Sequence, residues 1–262
     1  MPAWLAVIIL GIIEGVTEFL PISSTGHLLL VENAHWLPQQ SDLFNITIQS
    51  GAAVAVLLAF STRVRDLFLR LGDPDTRDYL LKLVLAFVIT GIGGLAVKKL
   101  GFTLPKETDP IAWATLVGGI VILLIEWAVR GRPLSSRVTW LMAVAVGLAQ
   151  LLAAVFPGTS RAAATILIAL ALGLSRPAAT EFSFLVGVPT LLAAGALETY
   201  QALRHPGPAP TDWGLLALGT LVSAVTAFLV VRWLLRWIQT HSFAVFGWYR
   251  IGLGLAMLTR LF

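Results

Sequence analysis

Residues 14–27 read Glu-Gly-Val-Thr-Glu-Phe-Leu-Pro-Ile-Ser-Ser-Thr-Gly-His, inside a chain apolar enough to live in a bilayer. A charge at the hydrocarbon midplane costs about 2.5–3.5 kcal/mol even on the lenient insertion scale, so residues kept there should work on something polar. Glu14 and Glu18 lie four apart and share a helical face. Like charges there repel unless a cation sits between them, and hard divalent ions, Mg²⁺ or Ca²⁺, prefer such oxygens. Ser23, Ser24 and Thr25 lead into a helix beginning near His27. One of them is explained as an N-cap, but hydroxyls around free N–H groups also suit phosphate. His27 could shuttle a proton, with Ser24 the nucleophile it activates. A second set, Pro157-Gly-Thr-Ser-Arg161, supplies a planar cation able to grip phosphate with paired bonds, with Thr159 and Ser160 as further donors. Each piece has a plainer reading: carboxylates and Arg161 holding one another, and a histidine satisfied in the core. Together they form a set fit for phosphoryl transfer. Gln49 is expected to face the same cavity.

The elements that position these groups follow from composition. Hydrophobic residues make up 57% and charged residues 12% of 262, about half the charged fraction of soluble domains. Apolar runs recur near 43–60, 80–97, 111–129, 181–200, 213–231 and 243–262, each approaching the roughly 20 residues that cross a hydrocarbon core. A single membrane domain spanning 1–262 is expected. No Walker loop, dinucleotide fingerprint, zinc spacing or nucleic-acid signature is present, and there is no cysteine. The start, Met-Pro-Ala-Trp-Leu, lacks a basic leader and reads as mature.

The chain also repeats itself, approximately 1–130 and 138–262. Gly11-Ile-Ile-Glu14 with Pro21-Ile-Ser-Ser24-Thr25 lines up with Gly147-Leu-Ala-Gln150 and Pro157-Gly-Thr-Ser160-Arg161. A small-residue helix, a Pro-Ser/Thr break and a short second helix make a re-entrant pair, tolerated only where protein or a wet cavity covers the break. The expected fold is an all-α integral membrane protein, an inverted repeat whose halves each hold a re-entrant pair and three transmembrane helices. Such repeats place a polar site near the midplane. Arg63, Arg65, Arg70, Arg77, Arg130, Arg132, Arg137, Arg176, Arg232 and Arg236 gather on one side, against Lys98, Lys99, Lys106, Arg204 and Arg260 on the other. Ten against five makes the first side cytoplasmic, so the first break opens outward. His205-Pro-Gly-Pro-Ala-Pro reads as a stiff outer turn, Glu181 as first-turn charge, and Arg250 and Glu198 as structural partners.

The segments 14–27, Pro157-Gly-Thr-Ser-Arg161 and Glu181-Phe-Ser-Phe-Leu together resemble the undecaprenyl-diphosphate phosphatase family, BacA/UppP, over nearly the whole chain. The resemblance implies dephosphorylation of undecaprenyl diphosphate to the monophosphate and inorganic phosphate at a bacterial inner membrane, with the site opening to the periplasm. That step recycles the lipid carrier of cell-wall synthesis and is linked to bacitracin resistance. It implies a divalent cation, Mg²⁺ or Ca²⁺, on Glu14 and Glu18, and catalytic roles for Glu18, Ser24, His27 and Arg161. Substrate contacts are expected from Ser23, Thr25, Gln49, Thr159, Ser160, Arg161 and Thr165. The nucleophile is Ser24 or a water. The partners implied are the lipid substrate and membrane lipid, with a homodimer left open and no nucleic acid. One departure is Ala162-Ala163, where the family usually has Ser-Gly. A lipid-phosphate transporter or flippase is the competing reading, because it uses the same repeat architecture.

Overall fold

The computed structural model describes residues 1–100, 107–205 and 210–259, apart from the side chain of Lys98. Every regular element among them is a helix: α1 (Ala3–Thr17), α2 (Ser24–Asn33), α3 (Asp42–Ala59), α4 (Ser61–Leu69), α5 (Pro74–Lys99), α6 (Thr108–Ala128), α7 (Trp140–Val155), α8 (Arg161–Ala171), α9 (Arg176–Arg204), α10 (Trp213–Trp237) and α11 (Ala244–Leu258). An isolated bridge joins Ser135 to Leu174. Helices α3, α5, α6, α9 and α10 are long and apolar enough to cross a bilayer. The chain is an all-α, multi-pass membrane protein.

The order repeats. Helices α1 and α2, at 15 and 10 residues, are only about 22 and 15 Å long and fall short of a roughly 30 Å core. They precede α3, α5 and α6, with α4 a short surface helix. The pair α7 and α8 precedes α9, α10 and α11, of which α11 is 15 residues. The two breaks share one cap geometry. Ser23 and Ser160 both have positive φ, 74° and 67°, and each side chain accepts from the N–H three residues on, Gly26 or Ala163. Ser23 is thus the counterpart of Ser160, and Ser24 that of Arg161, one residue off the alignment by proline spacing. The extra residue in the second break is taken up at Gly158, φ 91°.

The halves interleave rather than lie side by side. Helix α10 packs on α1 and α3, α5 on α7, and α6 on α11. Equivalent glycines make the equivalent crossings: a Cβ at Gly11 would sit 2.7 Å from the Gly219 carbonyl of α10, and one at Gly147 2.9 Å from the Ala86 carbonyl of α5. Small residues let backbones approach this closely. The core wraps the breaks, with Phe19 against Phe184 at 4.8 Å between centroids.

The elements carrying Arg63, Arg70 and Arg137 meet around one polar cavity of about 930 Å³. Glu181 is not first-turn charge: α9 starts at Arg176, so Glu181 lies in its second turn, where it accepts from Arg63 Nε at 2.9 Å and Tyr79 Oη at 3.2 Å and ties α9 to α4 and α5. On the opposite side, Lys106, Arg260 and residues 206–209 of the outer turn lie outside the described residues, as does the Lys98 side chain.

Candidate active site

Helix α1 stops because Leu20-Pro21 follows it, and proline has no N–H to continue the ladder. The chain then turns through the left-handed region at Ser23, as it does again at Ser160. That conformation costs a non-glycine residue about 1–3 kcal/mol. Glycine would enter it freely but could not cap, so the hydroxyls are what these positions retain. Both caps leave a helix N-terminus, of α2 and of α8, facing one cavity of about 180 Å³.

Glu18 is the meeting point. Its Oε1 accepts from Arg161 Nη2 at 2.6 Å and its Oε2 from Ser24 Oγ at 2.5 Å. The pair joins residues 143 apart in sequence, with side chains only 6% and 17% exposed. Arg161 passes over Gly187 of α9, where any Cβ would collide with the guanidinium, and lies 5.9 Å from the Phe19 ring centroid. Among the described residues its side chain hydrogen-bonds through Nη2, to Glu18, while Nη1 lies against Gly187.

Glu14 is fully buried, and neither of its carboxylate oxygens has a hydrogen-bond partner. Two hard oxygen donors on adjacent turns, one wholly unsatisfied, fit a divalent cation. Among the described residues no group of three His, Cys, Asp or Glu surrounds them. The remaining positions would therefore fall to water and substrate oxygens, the usual habit of Mg²⁺.

Ser23, Ser24, Thr25, Gln49, Ser160 and Arg161 line the cavity with Glu18, as expected. Four expected residues are not among its lining: Glu14, one turn before Glu18 on α1, and His27, Thr159 and Thr165. His27 donates through Nδ1 to the Ser23 carbonyl at 2.7 Å, and its Nε2 meets Tyr249 Oη at 2.7 Å. Glu18, not His27, holds Ser24. Thr159 is turned by Gly158 and Ser160 onto an apolar groove of about 800 Å³ between α6, α7 and α8. Thr165 is one turn into α8, where its hydroxyl bonds the Arg161 carbonyl at 2.8 Å and meets Ser183. Ala162 and Ala163, the departure from the family pattern, are both buried.

Sequence reasoning missed three groups. Tyr249 was hidden because nothing in the apolar pattern of α11 marks it as a partner of His27. Thr90 and Thr190 also line the cavity. Gln150 was visible as the counterpart of Glu14; its Nε2 donates to Thr90 Oγ1 at 2.8 Å.

The chain is similar to known proteins over nearly its whole length. A family model described as bacitracin resistance protein BacA matches residues 7–256. A protein of Rhizobium etli named undecaprenyl-diphosphatase is 52% identical over 95% of the chain and 94% of its own length. One of the same name from Xylella fastidiosa is 49% identical over 97% of each. A third, from Xanthomonas oryzae pv. oryzae, is 48% identical over 98% of the chain and 97% of its own.

Proposed function

The chain belongs to the BacA bacitracin-resistance family, and on that premise we propose that it hydrolyses undecaprenyl diphosphate to the monophosphate and inorganic phosphate, recycling the lipid carrier of cell-wall synthesis. The observation that carries the reading is Glu18, bonded at once to Ser24 of one break and Arg161 of the other. An acid–base group, a hydroxyl and a phosphate-gripping cation thereby share one small cavity within the apolar layer.

Ser24 Oγ attacks the terminal phosphorus while Glu18 Oε2 takes its proton. The anhydride P–O bond breaks, and polyprenyl monophosphate leaves with the bridging oxygen. Water then displaces Ser24 from the phosphoserine, giving inorganic phosphate and restoring the hydroxyl. The Arg161 guanidinium and the N-termini of α2 and α8 bind the phosphoryl oxygens and the charge that grows on them. His27, held between Ser23 and Tyr249, orients the first break. The competing route is direct attack by a water bonded to Glu18, and phosphate trapped on Ser24 separates the two.

Glu14 and Glu18 hold a divalent cation, Mg²⁺ or Ca²⁺, in this reading, which the unsatisfied oxygens of Glu14 support. When bound, such an ion neutralises phosphate oxygens as a Lewis acid. The polyprenyl tail lies in the apolar groove that Thr159 joins to the second break. The ten arginines of one face support a bacterial inner-membrane orientation with the site opening to the periplasm.

The test is release of inorganic phosphate from a long-chain polyprenyl diphosphate by the purified protein, lost in Glu18→Ala and Arg161→Ala. No release from a folded sample that moves the lipid across vesicles would overturn the reading in favour of transport.

A further inference from the structure

Arg250 sits on α11, 0% exposed, and among the described residues it pairs with no carboxylate. A buried charge is stable only when its hydrogen bonds are satisfied, and here main-chain carbonyls supply every one. Nε donates to Thr115 at 3.2 Å. Nη1 donates to Pro21 at 3.3 Å and Thr159 at 2.9 Å. Nη2 donates to Ala114 at 3.0 Å and Gly158 at 2.8 Å. A guanidinium has five N–H donors, and all five are spent.

The choice of acceptors is informative. Pro21 belongs to the first break, Gly158 and Thr159 to the second, and Ala114 and Thr115 to α6. Non-helical carbonyls at membrane depth need protein partners, and one rigid fork serves both breaks from outside the polar cavity. Pro21 lies two residues before the cap Ser23, and Thr159 immediately before the cap Ser160. The fork therefore fixes the separation of the loop bearing Ser24 from the loop bearing Arg161. The surroundings are cut to fit it: any Cβ at Gly118 would collide with the Arg250 guanidinium, and one at Gly158 would sit 2.7 Å from the Ile111 carbonyl.

We propose that Arg250 is a positioning residue that sets the register of the two breaks, and through it the reach of Arg161 and Ser24 to Glu18. It contacts neither substrate nor reacting atoms. Lysine cannot replace it, since three donors from one point cannot span five carbonyls on three segments. Only the kinetic arm of its test rests on the reaction proposed above.

The variants are Arg250→Lys and Gly118→Ala, the second keeping the arginine but occupying its space. In each, kcat for polyprenyl-diphosphate hydrolysis should fall about 100-fold with KM little changed, the size of effect a 1 Å misplacement produces. Added to Arg161→Lys, Arg250→Lys should cost almost nothing more, because both act on one alignment. Independently of activity, the chain has no cysteine, so spin labels at Thr25→Cys and Ala154→Cys report the distance across the cavity they both line. That distribution should broaden in both variants. A folded Arg250→Lys protein with wild-type kcat, losses that multiply with Arg161→Lys, or an unbroadened distance would each overturn the proposal. If Arg250→Lys does not fold, the same readings on Gly118→Ala decide it. Broadened distances in a protein whose wild type releases no phosphate would keep the positioning role and discard the reaction.

Discussion

Glu18 serves two masters, a hydroxyl on one oxygen and a guanidinium on the other, and the division of labour among neighbouring serines follows from it. Ser23 caps α2 while Ser24 alone reaches Glu18. Ser24→Ala should therefore leave the fold intact and lower kcat by on the order of 10⁶-fold, the loss typical when the nucleophile of a nucleophile–base unit is removed. Steady-state kinetics on helical, monodisperse protein check this, and full activity would remove Ser24 as nucleophile. At this scale the sequence was most legible where polarity is most costly. Carboxylates, Arg161 and hydroxyls at membrane depth announced themselves because lipid does not tolerate them unpaired. The partner of His27 did not, because Tyr249 lies 222 residues away and a tyrosine inside an apolar helix carries no sign of what it meets. Thr159 and Thr165 resembled their neighbours in type, yet the left-handed turn and one helical turn of rise carried them out of the cavity.

The helices act by close approach. Arg161 reaches Glu18 only because α9 presents Gly187 beneath it. Gly187→Ala should displace the guanidinium and lower kcat about 100-fold while the folded state survives; unchanged kinetics would show that Arg161 has room to spare. Stability rests on a different knot. Glu126 of α6 binds Arg176 at the start of α9 through Nε at 2.9 Å and accepts from the N–H of Phe243 before α11 at 2.7 Å. Removing one partner of a largely buried pair leaves the other uncompensated. Glu126→Ala should cost about 3 kcal/mol, read as a lower midpoint of thermal unfolding by circular dichroism, with residual kcat per folded molecule preserved. An unmoved midpoint would contradict it. Helix order and both breaks were readable from apolar run lengths and proline punctuation. The one-residue offset between the breaks was not, because the Glu/Gln-to-Pro spacing matches in both copies and the surplus residue is absorbed afterwards by Gly158 at positive φ. The geometry of Arg250 was equally hidden, since its acceptors are carbonyls, which every residue carries.

For the whole molecule, interleaving is what makes one site from two repeats. Because α10 packs on α1, and α5 on α7, neither half can close around its own break, and the polar ends of both are driven together. That explains why a carboxylate from one copy and the guanidinium that pairs with it from the other share a cavity of about 180 Å³ in a chain with mean hydropathy +0.86. The unsatisfied oxygens of Glu14, one turn before Glu18 on α1, make metal dependence the sharpest consequence of the account. The most direct measurement is inorganic phosphate released from undecaprenyl diphosphate by the purified chain with and without a chelator. Release should stop when divalent ions are withdrawn and return when Mg²⁺ or Ca²⁺ is added back, and Glu14→Ala should not recover. Release undiminished by the chelator, or none from folded protein supplied with either ion, would contradict it.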